Sequence, residues 1–169
     1  ILQLGHAGAA ARKAVIGRDP LGPSEGPGKR AMDEGAIREA ILAFGKAAAR
    51  AAKVGADGVQ IHAAHGYLIS QFLSPFFNCR QDAWGGSEEG RFRLLEAVVT
   101  ETRKALAPGM ALLVKLNTHD HTPGEGVTPP LAREYAKRLA ALDIDGIETS
   151  CGTSSLSPWH MCRGNVPVQ

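Results

Sequence analysis

Four short apolar runs set the limits on how this chain can fold. Residues 1–5 (ILQLG), 57–63 (DGVQIHA), 111–117 (ALLVKLN) and 145–150 (DGIETS) read as strands, and amphipathic stretches lie between them. A helix is predicted to begin near Asp33 as N-cap, to carry Ile37, Ile41, Phe44, Ala48 and Ala51 on one face, and to stop at Gly55. A second carries Phe92, Leu95, Val99 and Leu106 and stops at Pro108-Gly109. A third is capped by Thr128, has Pro129 at its first position, and turns Leu131, Tyr135, Leu139 and Leu142 inward. The predicted order β-α-β-α-β-α-β means a parallel sheet with right-handed crossovers. Runs that are apolar throughout suggest strands covered on both faces. Residues 17–30, with four Gly and three Pro, are read as loop, as are 151–169. A long connection from His65 to about Gly90 holds Phe72, Phe76, Phe77 and Trp84, and loops of that length are usually functional.

An open doubly wound sheet and an arc of a (β/α)8 barrel both satisfy this order. The first strand runs into G-H-A-G rather than G-x-G-x-x-G, so the dinucleotide fingerprint is absent. Each strand ends in polar groups: Gln3 and His6, His62 and His65, Lys115 and Asn117, then Glu148, Thr149 and Ser150. In a barrel these ends meet on one rim, where active sites are built. A complete barrel takes about 250 residues. The expectation is therefore an α/β fold, a partial (β/α)8 TIM barrel forming one domain over 1–169, with about four strands and three helices. The start without Met and the end without a closing helix read as a piece of a longer chain.

A net charge of +2 with scattered basic residues gives no argument for a nucleic-acid or membrane-surface partner, and none is expected. No apolar run approaches the roughly 20 residues of a membrane span, and no signal peptide is visible. Cys79, Cys151 and Cys162 are odd in number and lack C-x-x-C spacing, which favours neither disulfides nor a metal cluster. A reducing, cytoplasmic setting is the reading, with homo-oligomerisation left open.

His62 and His65 lie three residues apart, and Tyr67 follows. On an extended backbone the two rings would point apart; with a helical turn after His62 they converge. Two neutral imidazoles could polarise a carbonyl, hold a phenolate or nitro group, or ligate a metal. The plain alternative is a pair of rim residues with ordinary hydrogen bonds. A metal would need a third ligand from His119, Asp120 or His121; no H-E-x-x-H pattern supports one, so none is expected. Tyr67 could deliver a proton or simply pack. Gln3 offers a donor and an acceptor to a flat heterocycle, or to neighbouring backbone. Lys115, in an apolar strand, is costly to bury unless it meets an anion or is neutralised; a Schiff-base amine and a cation beside an electron-rich cofactor are both open. Arg80, Asp82 and Arg91 read as scaffold that pins the long loop.

Taken together, "LQLGHAG", "GVQIHAAHGYLISQFLSPFFNCRQDAWGGSEEGRFR" and "LLVKLN" resemble the old yellow enzyme family of NADH:flavin oxidoreductases, in its central segment of roughly the third to sixth barrel strands. The resemblance implies FMN as cofactor, NADH or NADPH as reductant, and a small-molecule substrate, an α,β-unsaturated carbonyl or similar electron-poor alkene. It implies that Gln3 reads the flavin's pyrimidine edge, that His62 and His65 bind the substrate's activating oxygen, and that Tyr67 gives a proton to the alkene carbon. Lys115 stands where the family usually has Arg near the flavin N1/O2 region, Trp84 replaces a usual Tyr, and Gly90 a usual Asn. The alternatives are a truncated, non-catalytic piece unable to retain flavin and a Schiff-base enzyme using Lys115. A segment without the family's phosphate-binding strands is expected to bind FMN weakly.

Overall fold

A computed structural model describes residues 1–156. Its main sheet has four parallel strands in the order β1-β4-β5-β6: β1 (Leu2–Leu4), β4 (Gly58–Ala63), β5 (Ala111–Asn117) and β6 (Gly146–Ser150). The strand order never reverses. With right-handed crossovers throughout, every connecting helix lands on the same face of the sheet. That is the geometry of a barrel wall, and it excludes the doubly wound alternative, in which helices cover both faces.

Three long helices, α2 (Glu34–Lys53), α4 (Glu88–Ala105) and α5 (Pro129–Ala140), fall where the periodicity predicts. Asp33 caps α2 by accepting a hydrogen bond from the Ala36 N–H at 2.7 Å, and Gly55 adopts φ +76° just beyond its end. Ser87 caps α4 in the same way through the Gly90 N–H. Thr128 occupies the N-cap of α5 without a side-chain hydrogen bond; the proline start carries that end. Helices α2 and α4 pack closely at Gly45, where a Cβ would lie 3.0 Å from Glu101 Cγ.

Helix α3 (Leu68–Leu73) lies inside the stretch read as a long loop, and a short α1 (Lys13–Ile16) follows β1. The Gly/Pro segment at 17–30 is not all loop either: β2 (Leu21–Gly22) and β3 (Arg30–Ala31) form a two-stranded parallel ladder. Arg80 reaches this ladder, pairing with Asp82 at 2.6 Å and donating to the Pro23 and Met32 carbonyls, so it is the pin the sequence suggested. The end of the predicted 151–169 loop, with Cys162, lies outside the described residues.

Alternation along β4 and β5 separates two faces. Val59, Ile61, Ala63, Leu112, Val114 and Leu116 are at most 2% exposed and join the helices in one core. Gln60, His62, Lys115 and Asn117 share the opposite face, as the period-2 geometry requires. Coverage of both faces, expected from the apolar strands, therefore fails for this inner wall: the Lys115 side chain is 20% exposed and that of Glu148 is 52% exposed.

Candidate active site

The polar wall is built by register. Gln3 sits beside Gln60, His62 beside Lys115, Lys115 beside Glu148, and Asn117 beside Ser150. One hydrogen-bonded row crosses the sheet. Gln3 Nε2 donates to Gln60 Oε1 at 2.6 Å, Gln60 Nε2 donates to Glu148 Oε2 at 2.7 Å, and Lys115 Nζ lies 3.0 Å from Glu148 Oε1. The Lys115 and Gln60 hydrogen bonds hold the Glu148 carboxyl below its ordinary range.

His62 is the next-to-last residue of β4, and the chain turns sharply just beyond the strand. His65 takes φ +63° and Gly66 φ +74°, both in the left-handed region. That turn folds the second imidazole back onto the first: the ring centroids are 5.0 Å apart and nearly perpendicular, so the rings converge as one alternative had it, through a left-handed turn rather than a helical one. Tyr67, at the N-cap of α3, places its ring 5.1 Å from His62. His65 is held on all sides. Its N–H donates to Asn117 Oδ1 at 3.2 Å, its Nε2 is 2.6 Å from Ser150 Oγ, and its carbonyl accepts from the Ser154 N–H at 2.9 Å. Burial, and then the Lys115 charge, push the His65 pKa down. Burial first, then His65 and Lys115, lower that of His62 to about 4. Both rings are therefore neutral near pH 7, and each offers one N–H and one lone pair. His62 Nδ1 is buried and has no hydrogen-bond partner.

All five residues singled out in the sequence lie on this wall or at its rim. Gln60 carries no role in the sequence reading, although its place two residues before His62 puts it on the same strand face. Glu148, Asn117 and Ser150 were legible only as polar strand ends; their partners come from other strands. His119 and His121, offered as metal ligands, stack on each other at 4.2 Å. Among the described residues no group of three His, Cys, Asp or Glu side chains is placed to share a metal ion.

A parallel wall thus brings a neutral imidazole pair, a phenol and an amide–carboxylate–ammonium row together at one end of a barrel arc. The chain belongs to the NADH:flavin oxidoreductase / NADH oxidase family, whose model matches residues 5–143. It is 36% identical over 166 residues to an NADPH dehydrogenase of Bacillus cytotoxicus, covering 95% of this chain and 46% of that one. To an NADPH dehydrogenase of Clostridium acetobutylicum it is 38% identical over 166 residues, covering 95% and 48%. Among solved structures it is similar to the old yellow enzyme homologue of Zymomonas mobilis, with a TM-score of 0.79 and 32% identity over 89% of this chain and 47% of that one. A 2-naphthoyl-CoA reductase in complex with 2-naphthoyl-CoA aligns with a TM-score of 0.82 and 31% identity, over 90% of this chain and 26% of that one. The chain thus spans about half the length of the curated relatives it matches.

Proposed function

We propose that this chain forms the substrate-anchoring wall of an FMN-dependent, NAD(P)H-driven oxidoreductase that reduces electron-poor alkenes conjugated to a carbonyl or nitro group. The observation that carries this reading is the pair of neutral imidazoles 5.0 Å apart with a phenol 5.1 Å from His62. The donor set fits a flavin and its substrate on two counts. His62 Nδ1 is buried and unpaired, a position that a bound oxygen or water would satisfy. Gln3 adds a carboxamide to the same wall, suited to a ring edge of alternating C=O and N–H groups, with the Lys115 cation in the same row.

FMN, when bound, supplies the ring that accepts hydride from NAD(P)H and passes it to the alkene. Gln3 holds the ring's pyrimidine edge, and Lys115 offsets negative charge near it. His62 and His65 donate to the substrate's carbonyl or nitro oxygen. As the alkene carbon gains hydride, negative charge moves onto that oxygen, where fixed N–H donors act most strongly. Tyr67 then gives its proton to the other alkene carbon and recovers one from water. Donation to the oxygen demands a correctly turned ring, and for His65 the Ser150 contact supports one orientation.

The test uses the chain loaded with FMN, NADPH as reductant and 2-cyclohexenone as acceptor. Wild-type protein is expected to consume NADPH in proportion to enone reduced. The double variant His62→Ala/His65→Ala is expected to keep flavin reduction by NADPH while losing enone turnover. Equal enone turnover in the double variant would overturn the reading.

A further inference from the structure

The row on the inner wall has a direction. A carboxylate only accepts hydrogen bonds, so the side of Gln60 that faces Glu148 must be its NH2 group, and the 2.7 Å contact runs from Nε2 to Oε2. With its NH2 committed there, Gln60 turns Oε1 towards Gln3 and accepts from Gln3 Nε2 at 2.6 Å. The Gln3 carboxamide is then also fixed: its NH2 faces Gln60, and its Oε1 points away from it. Lys115 occupies the other carboxylate oxygen at 3.0 Å; Glu148, already ionised near pH 7 at its ordinary carboxyl value and held lower still, is a pure acceptor with or without that partner. Of these residues only Gln60 is buried; its amide would pay a full desolvation cost if turned the wrong way.

We propose that Glu148, acting through Gln60, is the positioning residue that sets which way round the Gln3 carboxamide faces the site, so that Gln3 presents its acceptor and donor in one fixed order. The consequence for recognition rests on the flavin reading above: a ring whose N–H meets Gln3 Oε1 is accepted, and one with that nitrogen blocked is refused. Glu148 touches neither ring nor substrate in this account.

Replacing Glu148 by Gln keeps the shape but offers a group that can either donate or accept. Gln60 and Gln3 can then turn over together. Two measurements separate this from a general loosening of the fold. In 15N-labelled protein, the side-chain NH2 resonances of Gln3 and Gln60 are expected to be single and well dispersed in wild type, and shifted or doubled in Glu148→Gln. The second compares binding of FMN with binding of FMN methylated at N3. Wild type is expected to prefer FMN by roughly tenfold, about one lost hydrogen bond, and Glu148→Gln to keep no more than roughly threefold. Gln60→Leu, which cuts the row between Glu148 and Gln3, should erode the preference equally. Lys115→Met leaves the carboxylate in place and should leave the Gln3 resonances where they are.

Unchanged, single Gln3 resonances in both Glu148→Gln and Gln60→Leu would overturn the proposal. So would a Lys115→Met variant that moves them as far as Glu148→Gln does, since charge and not direction would then be responsible. Failure of every variant and of wild type to bind either flavin would count against the proposed function, while the amide resonances would still decide the role of Glu148.

Discussion

His62 connects the site's chemistry to the acid stability of the fold. Burial, His65 and Lys115 lower its pKa from 6.5 to about 4, against a smaller opposing pull from Glu148. Between those values the unfolded chain binds a proton that the folded chain refuses, so stability rises with pH across the window and is lost on acidification from about pH 6.5 towards pH 4. His65 and His6, also shifted down with burial as the leading cause, add to the same slope. The urea midpoint is expected to fall over this range, and His62→Gln to flatten the fall without abolishing it; an unaltered profile in the variant would exclude His62 as a contributor. Tyr67 gives a second test. Tyr67→Phe keeps the ring against His62 and removes only the hydroxyl, so enone reduction should drop by roughly 10²–10⁴-fold while flavin reduction by NADPH is unaffected. Comparable losses in both half-reactions would show that Tyr67 packs rather than protonates.

At the scale of elements, α3 shows why part of the site could not be read in advance. Its six residues are all buried, so LISQFL carries no polar face and no helical period. What holds it is long-range. Gln71 donates to the Gly66 carbonyl at 2.6 Å and accepts from the Ala9 N–H at 3.0 Å, and the Leu68 N–H donates to the His6 carbonyl. Gly8 fits beneath it because it has φ +60° and no Cβ, which would lie 2.5 Å from Gln71 Oε1. Gln71→Leu leaves the Gly66 carbonyl and the Ala9 N–H without their partner and should cost about 1–3 kcal/mol in chemical denaturation. A loss below a few tenths would mean that water replaces the amide. The long helices, by contrast, were legible because local rules suffice: Asp33 as cap, Gly55 as stop, and an apolar face at 3.6-residue spacing. The strand ends were legible as a list of polar residues. Their connection into one row was not, because Gln3, Gln60, Lys115 and Glu148 become neighbours only through register between strands far apart in sequence.

For the whole molecule, the decisive property is an unreversed parallel sheet whose connecting helices α2, α4 and α5 share one face. Among the described residues β1 and β6 each pair on one side only, which leaves ladder groups open at both edges. Leu2 on β1 is 47% exposed. Open edges favour strand-to-strand association, so sedimentation should show mass rising with concentration, and Leu2→Lys should lessen it. A concentration-independent monomer would contradict this. For the 169-residue segment by itself, fluorescence titration is expected to give FMN affinity weaker than micromolar, since four strand ends line only part of a barrel mouth; sub-micromolar binding would refute that expectation. The two imidazoles also differ in what they are free to do. His65 is tied to Asn117 and Ser154 through its own backbone and to Ser150 through its ring, so the sheet's outer margin is braced mostly by main chain at this position. Substituting residue 65 would therefore release the Ser150 tie alone and leave the other two in place, whereas the buried His62 Nδ1 has no partner to lose.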